Sequence, residues 1–191
     1  MPLTPPSPRR LVHQRTIVCT GYAREDGLWE VEGEFADTKS ETYREGDQGA
    51  IPAGVPLHGL RLRLVIDDAA KILSAEAVLD HTPFSICPLA APLTARLAGL
   101  SIGKGFMAEA RRLIGGAQGC THVLELLSEV AATAFQTLHE VRWRENDALR
   151  AAGLPPRRPA IIDTCHALRA DGPVVRLKWP EFAQDPKTGN D

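Results

Sequence analysis

The sequence predicts an α+β fold: an antiparallel sheet of two hairpins, a helical layer packed on one face, and a C-terminal strand folding back. Three observations predict it. Two stretches alternate apolar and polar residues with the period of a half-buried strand. Four strand-like segments follow one another without a helical segment between them, which disfavours a parallel sheet built from βαβ units. After Pro83 the apolar periodicity changes to that of a helix.

The first strand is expected over Leu11 to about Thr20, where Val12, Thr16, Ile17 and Val18 supply β-branched side chains. Glu25-Asp26-Gly27 signals a turn. The next run sets Trp29, Val31 and Phe35 on one side and Glu30, Glu32 and Glu34 on the other. A polar stretch from Asp37 to Gly49 separates this hairpin from the second. There Leu60, Leu62, Leu64 and Ile66 alternate with Arg61, Arg63 and Val65, and Asp67-Asp68 turns the chain. The return strand is read with Leu73, Ala75, Ala77 and Leu79 on one face. Short helices are expected near 89–98 and 104–114. The long one follows Gly119: Val123, Leu126, Leu127, Val130, Ala131, Ala134, Phe135 and Leu138 form one apolar stripe. A further helix over 142–151 stops at Gly153-Leu154-Pro155-Pro156, and the tail is expected to hold a short helix near Ile162–Leu168 and a strand at Val174–Trp179.

A chain of 191 residues with 43% hydrophobic and 24% charged residues has an ordinary globular composition. The reading is a Pro-rich, flexible N-terminus over 1–8 and a single domain over 9–191. A net charge of −2 and a pI near 6.3 argue against a nucleic-acid or anionic-membrane partner. The N-terminus lacks the apolar run of a signal peptide, and no stretch approaches the roughly 18 apolar residues of a membrane span. A cytoplasmic protein is therefore expected, its partner a small molecule, with a homo-oligomer left open. In that compartment Cys19, Cys87, Cys120 and Cys165 are core residues, ligands or nucleophiles rather than disulfides.

The sharpest local feature is Gly119-Cys120-Thr121-His122 at the start of the long helix. There the Cys120 thiol would lie beside unpaired backbone N–H groups and the positive end of the helix dipole, which favours thiolate. Cys120 reads equally as a small core residue, and His122 as a surface histidine. Glu125 shares the helix face of His122, either orienting it or acting as a general base, or simply exposed. His58 is expected just before one strand of the second hairpin and Cys87 just after its partner, hence at the same end. If the helix starting at Cys120 packs across that end, His58, Cys87, Cys120 and His122 converge as a set suited to Zn or Fe. Arg24, Asp26, Trp29 and Arg63 are the candidate substrate-binding residues.

Other residues carry less. Asp163, Cys165 and His166 form a compact polar group that reads also as capping or packing. Cys19 is expected in the core, and His13 and Arg15 lie on its strand face, toward a ligand or toward solvent. Asp80-His81 closes the second hairpin near Cys87. His139 ends the long helix, where a cation suits the dipole. The sequence contains no Walker loop, dinucleotide-binding glycine fingerprint or Gly-x-Ser-x-Gly elbow.

With these residues in view, the chain resembles the bacterial DUF2889 family (domain of unknown function) over roughly residues 10–140, with a weaker echo at Asp163-Thr164-Cys165. The marks are Gly21-Tyr22-Ala23-Arg24-Glu25-Asp26-Gly27-Leu28-Trp29, Ala53-Gly54-Val55-Pro56-Leu57-His58, Pro83-Phe84-Ser85-Ile86-Cys87, Gly115 to His122, and Ala134-Phe135-Gln136. The resemblance implies a loose association with catabolism of aromatic compounds. In element order the chain also looks like the U-type iron–sulfur scaffold proteins, with His58 where those have a cysteine. Three functions are thus in play: a lyase or hydrolase using bound Zn²⁺ or Fe as Lewis acid, an iron–sulfur or metal carrier without turnover, and a cofactor-free enzyme or structural domain.

Overall fold

The computed structural model describes residues 3–185, so residues 1–2 of the Pro-rich N-terminus lie outside the described part; residues 3–8 have no regular secondary structure. The chain forms two compact units, Met1–Glu140 and Val141–Asp191, where the sequence predicts one domain over 9–191.

The first unit is built on a four-stranded antiparallel sheet in the order β1-β2-β3-β4: His13–Ala23, Trp29–Lys39, Pro56–Ile66 and Ile72–His81. A 3₁₀ segment at Cys87–Leu97, with Pro88 at its start and Pro92 inside it, replaces the α-helix expected near 89–98. Each proline removes one N–H donor, which helps explain why the segment does not close as an α-helix. Helices α1 (Phe106–Ile114) and α2 (Thr121–Thr137) follow. The buried residues of α2 are Val123, Leu124, Leu126, Leu127, Val130, Ala131 and Ala134. Of the stripe read from the sequence, Phe135 is only half-buried and Leu138 is buried just past the helix end, while Leu124 is an addition.

The sheet shows the strand period on its two faces. Val31, Phe35, Leu60, Leu62, Leu64 and Ile66 are buried under the helices. The opposite face carries cross-strand charge pairs, in which Arg63 donates to Glu32 and Glu76, and Arg61 to Asp80. Return strand β4 departs from the expected alternation. Ile66 pairs with Ile72 and Val65 with Ser74, so Leu73 is the extra residue of a bulge and is exposed, while Ile72 is fully buried. A bulge adds one residue to a period of two, which a strict alternation pattern does not register.

Helix α2 comes close to the sheet because β2 offers a glycine beneath it. A Cβ built on Gly33 would lie 2.5 Å from Val130 Cγ2 and 2.8 Å from Leu126 Cδ1. Both neighbours are branched core side chains, buried to the last atom. We therefore expect Gly33→Val to overpack the helix–sheet interface and destabilise by about 1–3 kcal/mol. A urea-denaturation midpoint equal to that of the wild type would contradict this.

The second unit has its own small core of Ile162, Ala170, Val175 and Trp179. Helix α3, His139–Ala151, is longer at its N-terminus than the helix expected over 142–151. The strand expected at Val174–Trp179 is instead a short helix, α4, Pro173–Lys178. Gly172 precedes it as N-cap and Pro173 opens the first turn, where proline is pre-organised for helix. Val175 and Trp179 are four residues apart and both buried, a helical spacing that outweighs the β-branched content. The helix expected near Ile162–Leu168 reduces to one 3₁₀ turn, His166–Leu168. Asp163 interrupts it with a left-handed φ of 69°.

Candidate metal centre

The site lies at the end of the sheet where three strands align. On the inner face Arg15 of β1 stands opposite Asp37 of β2, which stands opposite His58 of β3. A bulge places Thr38 against Pro56 and skips Leu57, and a second pairs Gly59 with His81 but Leu60 with Leu79. Each extra residue re-aims the side chains beside it. Helix α2 begins above this row, with Cys120 as N-cap and His122 in its first turn.

Asp37 is the centre of the arrangement, 3% exposed on the apolar face. Its Oδ1 accepts from His13 Nε2 at 2.9 Å and Arg15 Nε at 2.8 Å, and its Oδ2 accepts from Arg15 Nη2 at 2.9 Å. Burial pushes this carboxyl upward, yet the hydrogen bonds and charges of Arg15 and His13 outweigh it and hold the pKa at about 2. Arg15 lies over the Phe35 ring at 4.6 Å and reaches Glu125 with Nη1 at 2.7 Å. Glu125 thus acts on the site through Arg15, as well as favouring charge on His122.

Oδ2 of Asp37 also faces two imidazoles, His58 Nδ1 at 3.4 Å and His122 Nε2 at 3.9 Å. The ligand atoms of Asp37, His58 and His122 all lie within 4.8 Å of one another, so the three could hold one metal ion. Metal–ligand bonds of ~2.0 Å in a tetrahedron put ligand atoms roughly 3.3 Å apart, near the 3.4 Å and 3.9 Å that separate Asp37 Oδ2 from the two imidazoles. The two rings lie against each other with centroids 3.9 Å apart, tilted by 35°. His58 Nδ1 is buried and has no hydrogen-bond partner, the 3.4 Å approach to Asp37 lacking the required alignment. Burial, then the neighbouring His122, push the His58 pKa down, leaving the neutral imidazole that binds metals.

His122 has a second neighbour: its Nδ1 lies 3.9 Å from Cys120 Sγ. Burial raises the Cys120 thiol, but the contact with His122 and the backbone N–H groups of Val123 and His122 bring it below its ordinary value. His122 is correspondingly raised, first by Cys120.

A cavity of about 200 Å³ opens beside these groups. His58, Cys87, Cys120 and His122 all contribute to its lining, with Leu60, Leu79, Pro83, Phe84, Thr82 and His81. The four residues read as ligands from the sequence thus share one pocket, but the cluster with metal-ligand spacing contains two of them together with Asp37. Part of the wall is held by a neighbouring loop. Asp47 accepts from the Ser85 N–H and hydroxyl, each at 2.8 Å, and Gln48 Nε2 donates to the Thr82 carbonyl at 3.2 Å. We expect Asp47→Ala to release the 82–85 segment by about 1 kcal/mol. Hydrogen exchange at the Ser85 amide reads this directly, and unchanged protection there would show the clamp to be inert.

The candidate substrate residues do not join the pocket. Arg24 pairs with Asp26 at 2.6 Å in the β1–β2 turn, and Trp29 Nε1 donates to Asp68 at 2.8 Å. Both lie at the opposite end of β2 from Asp37, roughly 25 Å along the strand. Arg63 is on the outer sheet face with Glu32 and Glu76. Cys19 packs against the core. Asp163 shapes its turn, accepting from the Ala170 N–H and pairing with Arg158, beside an exposed Cys165.

Residues 13–136 match the family described as protein of unknown function, DUF2889. The chain belongs to that family. The matched DUF2889 segment runs from the first residue of β1 to near the end of α2, and so includes Asp37, His58, Cys87, Cys120 and His122. The second unit lies outside it. No curated protein and no solved structure matches the chain. Among the described residues, no helix is long and apolar enough to cross a membrane.

The sequence reading missed Asp37, assigning it to a polar stretch. The signal was present: Val31, Gly33, Phe35 and Asp37 share one strand parity, so a carboxylate continues the apolar face. A charge in that position is rarely buried without a partner.

Proposed function

We propose that this member of the family is a metal-assisted enzyme for a small molecule, a hydrolase or lyase, with Asp37, His58 and His122 holding Zn²⁺ or Fe²⁺. The observation that carries this is the orphaned, buried His58 Nδ1, which faces a carboxylate oxygen while its ring lies against a second imidazole. An unsatisfied buried nitrogen costs free energy, and a cation between the three groups would satisfy it. Two histidines and one carboxylate suit Zn²⁺ with an open position, and equally non-haem iron. Such an ion supplies Lewis acidity. Arg15 and His13 orient Asp37, leaving Oδ2 toward the imidazoles, and the apolar walls of the pocket exclude water from a bound molecule. An apolar pocket adjoining the ligands favours turnover over a carrier role.

A second reading rests on Cys120. Its sulfur lies 3.9 Å from His122 Nδ1, and His122 Nε2 lies 3.9 Å from Asp37 Oδ2, an order of groups in which Cys120 would serve as nucleophile without a metal once the two links tighten. Elemental mass spectrometry on anaerobically purified protein separates the two. Near one Zn or Fe per chain, lost in His58→Ala and retained in Cys120→Ala, is the expected result. Metal-free wild type, with alkylation of Cys120 slowed by His122→Ala, would replace the first reading with the second. Two irons per chain with a visible chromophore would point to the cluster carrier.

A further inference from the structure

We infer that the pocket selects a small monoanion whose body is apolar and no larger than a single ring, such as a monocyclic carboxylate. The inference rests on the metal-centre reading. Size sets the first limit. A dry cavity of about 150 Å³ lined by aliphatic and aromatic side chains takes up benzene. The volume here, about 200 Å³, leaves room for one ring and a head group of a few atoms. Nucleotides, disaccharides and acyl thioesters of coenzyme size exceed it.

Wall chemistry sets the second. Leu60, Leu79, Pro83 and Phe84 give the body of the ligand apolar contact, and the lining contains no Lys, Arg, Asp or Glu. A charged head group therefore finds its counter-charge only at the His58–His122 wall. Two neutral imidazoles and one carboxylate leave a divalent ion with one positive charge uncompensated. Arg15 adds nothing to this balance, because it is paired with both Asp37 and Glu125. One residual positive charge beside a largely apolar lining favours a monoanion over a neutral molecule and disfavours a cation. Without the ion, the positive charge at this wall is gone and the Asp37 carboxylate stands behind the imidazoles, so the preference for an anion disappears.

The test uses the full chain loaded with Co²⁺, whose visible absorption reports its ligands, titrated with benzoate, cyclohexanecarboxylate, acetate and benzylammonium. Both ring carboxylates are expected to shift the cobalt bands saturably and at least tenfold more tightly than acetate. Benzylammonium is expected to leave them unmoved, and calorimetry of metal-free protein to show no benzoate binding. Phe84→Ala, at a half-exposed position that should not threaten folding, is expected to weaken benzoate about tenfold while preserving the cobalt spectrum. A cobalt spectrum that benzoate does not perturb, or perturbs no more tightly than acetate, overturns the inference and leaves the metal centre standing. Benzoate binding equally well without metal overturns it too, by removing the charge argument. Absence of any protein-bound cobalt spectrum overturns the centre and this inference together.

Discussion

Asp37→Ala is expected to abolish metal uptake and to lower the stability of the metal-free protein by about 2 kcal/mol, the worth of a carboxyl pKa displaced to about 2 from its ordinary 3.8. The variant loses the only anionic ligand of the proposed centre, so the fall in affinity should exceed the ~10–100-fold that follows loss of an outer partner. It also leaves the Arg15 guanidinium and three imidazoles with the half-exposed Glu125 as their nearby carboxylate. The pH dependence identifies the cause. Asp37 has a lower pKa folded than unfolded, so its stabilisation is complete above about pH 4 and is lost as pH falls through about 2. The stability gap between wild type and variant should therefore narrow across that window, as read from urea midpoints in a pH series. A gap that stays constant down to pH 2 would mean that the ionised carboxylate is not what stabilises this corner.

Gly119→Ala is expected to disturb the site more than the fold. A Cβ at position 119 would meet the backbone carbonyl of Ile114, at the end of α1, closer than real Cβ atoms come. A backbone carbonyl has no rotamer to escape into, so the 115–119 segment must move. Gly119 has an extended backbone, so steric contact rather than dihedral preference requires glycine there. The cost should be about 1–3 kcal/mol. Cys120 and His122 follow directly, so metal affinity should fall about 10–100-fold, as when a ligand loses its orienting support. Cobalt affinity and the urea midpoint, measured on one preparation, check both numbers. An alanine variant with wild-type affinity would show that the segment relaxes without moving the helix start.

Local pattern was enough wherever one residue's environment depended on its near neighbours. The apolar stripe of α2 and the alternation in β2 and β3 each repeat a period that backbone geometry imposes, so the elements and their buried faces could be read directly. The same logic brought His58, Cys87, Cys120 and His122 to one end of the sheet, because hairpin topology leaves few places for the ends of paired strands. It failed at the bulges. One extra residue at Leu57 and another at Asp80 set the aim of His58 and His81, and one at Leu73 turned that side chain to solvent. It failed again in the tail, where burial of Val175 and Trp179 on one helical face overrode β-branched composition.

By itself, then, the sequence determined the α+β class, the antiparallel hairpins, the long helix and the neighbourhood of the site, all of which follow from periodicity and short-range connection. Only the tertiary structure decided which atoms meet. Asp37, His58 and His122 come from two strands and a helix, and their ligand atoms fall within 4.8 Å because strand register, two bulges and the docking of α2 coincide. Register and docking are long-range packing outcomes, to which no local stretch of sequence is sensitive.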